Sequence, residues 1–118
     1  MTALLVAIGG AGGVLARYGI GRLVDPNDLP TATVAINVSG SALLGFLVAV
    51  GSSLAPEIRT ALAIGVLGGF TTFSTFSVDV FLDIEAGRAG EALLYAAASV
   101  LLGIVAAAGG YYAGRAVA

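Results

Sequence analysis

The sequence predicts an all-α membrane protein with four transmembrane helices, the third broken near its centre. Three observations predict it. The 118 residues are 58% hydrophobic, with a mean hydropathy of +1.04. Only 10% are charged, against about 25% in a typical soluble domain, and a soluble chain this short could not hide so much apolar surface. Four apolar stretches come close to the roughly 20 residues a span needs, and the third carries a glycine pair followed closely by five hydroxyls.

The first span runs from about residue 3 to 24. Met1 to Ile8 lacks the positive n-region of a cleaved signal peptide and reads as the start of a retained helix. "DPNDLP" (Asp25 to Pro30) then breaks the chain with two prolines and two acids. The second span covers about 31 to 50 and ends at Gly51, Ser52 and Ser53. Pro56 suits the first turn of the next helix, where a missing N–H costs nothing. The third span covers about 57 to 81, the polar link "DIEAGRAGE" (Asp83 to Glu91) follows, and the fourth covers about 92 to 112. Links this short hold no separate domain, so residues 1–118 form a single four-helix transmembrane domain. Small residues recur four apart, at Gly9 and Gly13, Ser41 and Gly45, Gly65 and Gly69, and Gly110 and Gly114. Such pairs let helix backbones approach closely in lipid.

Composition excludes several functions. Without Cys or His there is no thiol chemistry, no disulfide, no imidazole base and almost no route to a zinc site. No nucleophile–base pair or metal cluster can be assembled, so an enzyme is not expected. A net charge of −2 gives no footprint for nucleic acid. All five cations are Arg. Arg59 and Arg115 fall on the N-terminal side of the membrane, and Arg17, Arg22 and Arg88 on the other. With Arg17 inside its span, the two sides balance. Orientation follows arginine asymmetry, so this chain has no strong preference. Inserted both ways, it can form an antiparallel two-fold dimer. Four such helices leave little room for a central pathway, so a transport role favours an oligomer in any case.

Polar groups within spans are functional candidates. Asn37, in "INVSGSALLG", offers two donors and an acceptor, either to a neighbouring helix or to an anion path. Arg17, in "GGAGGVLARYGIGR", either snorkels to the interface or gives a vestibule a positive potential. Tyr95 and Ser99 lie four apart on one face of the fourth span, and Tyr95 also suits an interfacial belt. The fourth group is "GVLGGFTTFSTFS" (Gly65 to Ser77). Gly68 and Gly69 fall at mid-span, and a glycine pair before two β-branched threonines forms helix poorly. A break there would free backbone carbonyls that can hold a small hard cation such as Na⁺. Phe70, Phe73 and Phe76 follow on roughly one face, among Thr71, Thr72, Ser74, Thr75 and Ser77. Positive ring edges and hydroxyl donors attract an anion weakly, as conduction requires. The plainer reading is a helix packed by aromatics, with hydroxyls bonded back to carbonyls four residues earlier.

Together these residues resemble the fluoride channel family (Fluc, also called CrcB), over essentially the whole chain. The resemblance rests on "GGAGGVLARY" (Gly9 to Tyr18), "NVSGSALLG" (Asn37 to Gly45) and above all "GGFTTFSTFS" (Gly68 to Ser77). It implies an antiparallel, dual-topology dimer in the cell membrane that exports fluoride passively. It implies a homodimer, with a pair of unlike subunits as the alternative. The Gly68 and Thr71 carbonyls would hold a structural Na⁺. Phe73 and Phe76 would face fluoride, Asn37 would be the pore amide, and Ser74 and Thr75 would belong to a hydroxyl track. Tyr95 and Ser99 would be the fourth-helix polar pair, and Arg17 the vestibule arginine. Asp79 stands where the family often has Glu, which leaves the role of that position open.

Two other functions fit the size. A small proton-coupled multidrug exporter needs a carboxylate at membrane depth, and the acids here read as lying at span ends or in links. A non-transporting membrane assembly subunit would use its glycine faces only for packing.

Overall fold

A computed structural model describes residues 1–118, and it is all-helical with no strand. Helix α1 spans Thr2–Leu23 and α2 spans Leu29–Val50. A continuous run of α3 (Pro56–Thr60), a π-helical segment (Ala61–Leu67) and α4 (Gly68–Phe70) follows. Helix α5 spans Phe73–Glu85, and α6 spans Ala89–Val117. Four helical stretches, Thr2–Leu23, Pro26–Ser53, Pro56–Glu85 and Ala89–Val117, are long and apolar enough to cross a membrane. The chain is a multi-pass membrane protein. At 1.5 Å per residue α6 alone is about 44 Å long, so its ends outrun the roughly 30 Å of hydrocarbon.

Local chemistry sets the ends. The Asp25 carboxylate accepts the Asn27 N–H at 2.9 Å and starts a short turn, with Pro26 at its first position. Pro56 likewise takes the first position of α3, there without a side-chain cap. Helix α5 closes at Gly87, whose φ of 81° is the only positive one in the chain. There the Gly87 N–H donates to Ile84 and the Arg88 N–H to Asp83, the paired bonds of a Schellman stop.

Two tight helix pairs make the bundle. Helix α1 lies on the π-helical segment and α4, while α2 lies on α6, with α5 also against α6. The small-residue pairs sit at both contacts. A Cβ added at Gly13 would strike the Val66 carbonyl, and one at Gly110 the Ala42 carbonyl. Backbones this close are the gain that small residues offer in lipid. Only 11 of 118 residues are buried, so most apolar side chains face outward, where lipid is as good a solvent as a protein core.

The third span differs from expectation in two ways. Its first half contains a π-helical segment that nothing in the sequence announced, in which the Gly68 N–H reaches back to Ala63. Its glycine pair is also helical, with Gly68 at φ −64° and ψ −37°. Extended backbone falls one turn later, at Thr71 (φ −87°, ψ 159°) and Thr72 (φ −150°, ψ 117°). β-Branched threonines favour that region. Gly69 instead admits the Gly10 carbonyl, only 2.7 Å from where its Cβ would stand.

Candidate functional site

The extended pair is held from α2, and the helical turn before it from α1. From α2, Asn37 forms a two-point contact with Thr72. Its Nδ2 donates to the Thr72 carbonyl at 2.9 Å, and its Oδ1 accepts the Thr72 N–H at 2.8 Å. The amide therefore pairs with Thr72 as a neighbouring backbone would. From α1, Arg17 Nε donates to the Gly69 carbonyl at 3.3 Å. Arg17 is half-buried. Gly40 lets α2 approach, since a Cβ there would strike the Thr71 methyl.

These bonds leave a local carbonyl pattern. In a continuous helix the Thr72 N–H would serve Gly68 O, and the Thr75 N–H would serve Thr71 O. Here the first goes to Asn37 and the second to Thr72 Oγ1 at 3.3 Å, the N-cap of α5. Gly68 and Thr71 thus both present carbonyls without their helical donors. Uncharged backbone oxygens of this kind suit a small hard cation such as Na⁺.

Beside the extended pair lies a cavity of about 300 Å³. Asn37, Gly68, Thr71, Phe73, Phe76 and Ser99, all singled out in the sequence, line it. Ser99 Oγ is buried there without a hydrogen-bond partner. The Phe73 and Phe76 rings lie 5.9 Å apart and tilted by 47°. Phe76 in turn packs on Tyr95 at 5.4 Å. Phe73 is 78% exposed, so the cavity is open on one side.

Ser74 and Thr75 do not join this cavity. With Val78 and Asp79 they line a separate hollow of about 260 Å³ on the opposite face of α5. Tyr95 bridges the two faces: its ring packs on Phe76, and its hydroxyl points at Asp79 Oδ2 from 3.5 Å, the limit of hydrogen-bond reach. Asp79, read in the sequence as lying at a span end, sits within α5 and is half-buried. Of the five hydroxyls, Thr71 and Ser77 bond back to the Leu67 and Phe73 carbonyls, as the plainer reading expects. Thr72 and Thr75 bond to each other instead, at 3.1 Å. Thr72 is the residue that sequence reasoning passed over. A signal for it was present: a threonine at the N-cap with another hydroxyl residue three positions on resembles a capping box.

A family model described as "CrcB-like protein, Camphor Resistance (CrcB)" matches residues 4–111. This chain belongs to the CrcB family. Curated relatives are similar along nearly their full length. "Fluoride-specific ion channel FluC" of Rhodospirillum centenum is 46% identical over 121 residues, covering 97% of this chain and 92% of the relative. A protein of the same description from Thermus thermophilus is 44% identical over 119 residues, covering 97% and 95%. One from Caulobacter vibrioides is 43% identical over 122 residues, again covering 97% and 95%. The CrcB match includes α2 to α5 entirely and most of α1 and α6, and so every residue of the cavity and the hollow.

Proposed function

We propose that this chain is a fluoride-selective channel of the cell membrane, through which fluoride leaves the cell passively and confers fluoride resistance. The observation that carries the reading is similarity to relatives described as fluoride-specific ion channels, along nearly the whole chain. The cavity supports it. A small anion there meets the positive edges of Phe73 and Phe76, the unpartnered hydroxyl of Ser99 and the remaining amide proton of Asn37. None of these is a full charge, so binding is weak enough for the ion to leave. The Arg17 guanidinium raises the local potential and draws anions toward the path. No covalent chemistry is involved, so the protein acts as a conduit and not as an enzyme.

The working unit in this reading is an antiparallel dual-topology dimer, a homodimer unless a related subunit takes the second place. Arg17 is bonded within the bundle, which leaves Arg59 and Arg115 on one side against Arg22 and Arg88 on the other. Such balance favours insertion both ways. The exposed Phe73 and the hollow at Ser74 and Thr75 gain a wall when a second copy is present, and both hydroxyls then join the path. The extended pair at Thr71 and Thr72 serves as the functional break of the third helix. The Gly68 and Thr71 carbonyls of the two copies are the ligands of a structural Na⁺. Bound there, it supplies a fixed positive charge at the dimer centre. The test is fluoride efflux from liposomes holding the purified chain alone. Passive efflux, abolished in both Phe73→Ile and Phe76→Ile, is the expected result. Normal efflux from both variants would overturn the pore assignment, and vesicles that stay ion-tight would overturn the homodimer.

A further inference from the structure

We propose that Asn37 and Arg17 are positioning residues that select which carbonyls of the third span are open to a cation. Asn37 opens Gly68 by taking its helical donor, and Arg17 closes Gly69 by supplying one. The inference rests on the cation site proposed above and concerns how the chain builds it.

The geometry assigns the two roles separately. The Thr72 N–H can serve Gly68 O or Asn37 Oδ1, and it serves Asn37 at 2.8 Å. The matching bond from Asn37 Nδ2 to the Thr72 carbonyl holds Thr72 in extended backbone, which turns its N–H away from Gly68. Asn37 therefore spends Oδ1 and one Nδ2 proton on Thr72 and keeps the other Nδ2 proton for the cavity. A half-buried amide used only as an anion ligand would have no reason to grip a backbone at both ends. Gly69 presents the complementary case. Its helical donor would be Phe73, the first residue of α5, which lies beyond the extended pair. Arg17 Nε reaches across from α1 to fill that place. Leaving Gly69 open would offer a further oxygen beside Gly68 and Thr71. A larger and more adaptable set of oxygens suits a larger cation. Arg17 thus narrows the choice of ion as well as the number of ligands.

Neither effect requires contact with the cation, so fluoride flux alone does not isolate it. The decisive measurement is a cation titration of the purified full chain in detergent, read as thermal stability, with Na⁺ or K⁺ replacing an organic cation. Asn37→Leu has nearly the same size and no polar atom. Its Na⁺ midpoint is expected to rise severalfold, up to about tenfold, the factor a single hydrogen-bond-sized free energy gives. Arg17→Met is expected to keep a cation response in which K⁺ gains on Na⁺. A wild-type midpoint in Asn37→Leu, or an unchanged Na⁺ to K⁺ preference in Arg17→Met, would overturn the proposal.

A second measurement uses the wild-type chain, with variants only to assign its signals. With carbonyl-13C glycine, 15N-glycine narrows the signals to four Gly–Gly steps, at Gly9, Gly12, Gly68 and Gly109, and 15N-phenylalanine to two Gly–Phe steps, at Gly45 and Gly69; the Gly68 signal is the one lost in Gly68→Ala, and the Gly69 signal the one lost in Phe70→Leu. Na⁺ is expected to move the Gly68 carbonyl resonance and leave that of Gly69 in place. Movement of both, or of Gly69 alone, would overturn the selection. A wild-type chain that conducts fluoride without any Na⁺ response removes the cation site and this inference, and leaves the fluoride reading standing. A chain that binds Na⁺ at Gly68 but passes no fluoride does the reverse.

Discussion

Replacing Gly110 by alanine tests whether α2 and α6 are held by backbone contact. The new Cβ would strike the Ala42 carbonyl oxygen, with the carbonyl carbon at 2.7 Å and Cα at 3.1 Å. Ordinary contact begins near 3.4 Å, and every atom in the way belongs to backbone, so no side chain can rotate aside. The two helices must separate along their main contact. Overpacking of this kind costs about 1–3 kcal/mol. The neighbouring Gly109 has nothing within 4 Å of its Cβ position. Alanine there should stabilise the helix by up to about 1 kcal/mol through propensity alone. Unfolding of both variants in a denaturing-detergent titration, with Gly12→Ala as a second open-space control, measures the difference. Gly110→Ala should fall below both controls. Equal stability for Gly110→Ala and Gly109→Ala would refute the close-contact argument.

Thr72→Ala removes the hydroxyl that caps α5 and should cost about 0.5–2 kcal/mol in the same titration, while Thr72→Ser retains most of the stability. Ser99→Ala removes a buried hydroxyl that bonds to nothing in the chain, so stability should hold or rise while fluoride efflux falls. A loss of stability with normal efflux would make Ser99 a packing residue. Arg88→Ala removes exposed ion pairs to Asp83 at 2.6 Å and Glu91 at 3.7 Å and should barely affect unfolding. It leaves Arg59 and Arg115 facing Arg22 alone. Single-cysteine labelling from each side of the membrane should therefore show a shift toward molecules with the N-terminus inside the cell.

The sequence by itself determined the environment, the number of spans and where to look for a site. Hydropathy needs no partner to be read, since each residue's transfer into lipid is nearly its own affair. The spacing of Gly9 with Gly13 and of Gly110 with Gly114 likewise announced close contacts, because helical periodicity fixes which residues share a face. The cluster at Gly68 to Ser77 marked the site because polar groups in hydrocarbon are costly.

What the tertiary structure decided is how those groups are used. The backbone turns extended at Thr71 and Thr72, because Asn37 from α2 replaces the lost helical bonds there and nowhere else. Gly68 and Gly69 stay helical, and Gly69 serves the approach of α1. Arg17 finds the Gly69 carbonyl, a partner 52 residues away. Phe73 and Phe76 share a cavity with Ser99, while Ser74 and Thr75 face the other way. Each outcome depends on which helix lies beside which. A hydrogen bond between distant residues leaves no periodic trace in either segment, so only the packed bundle reveals it.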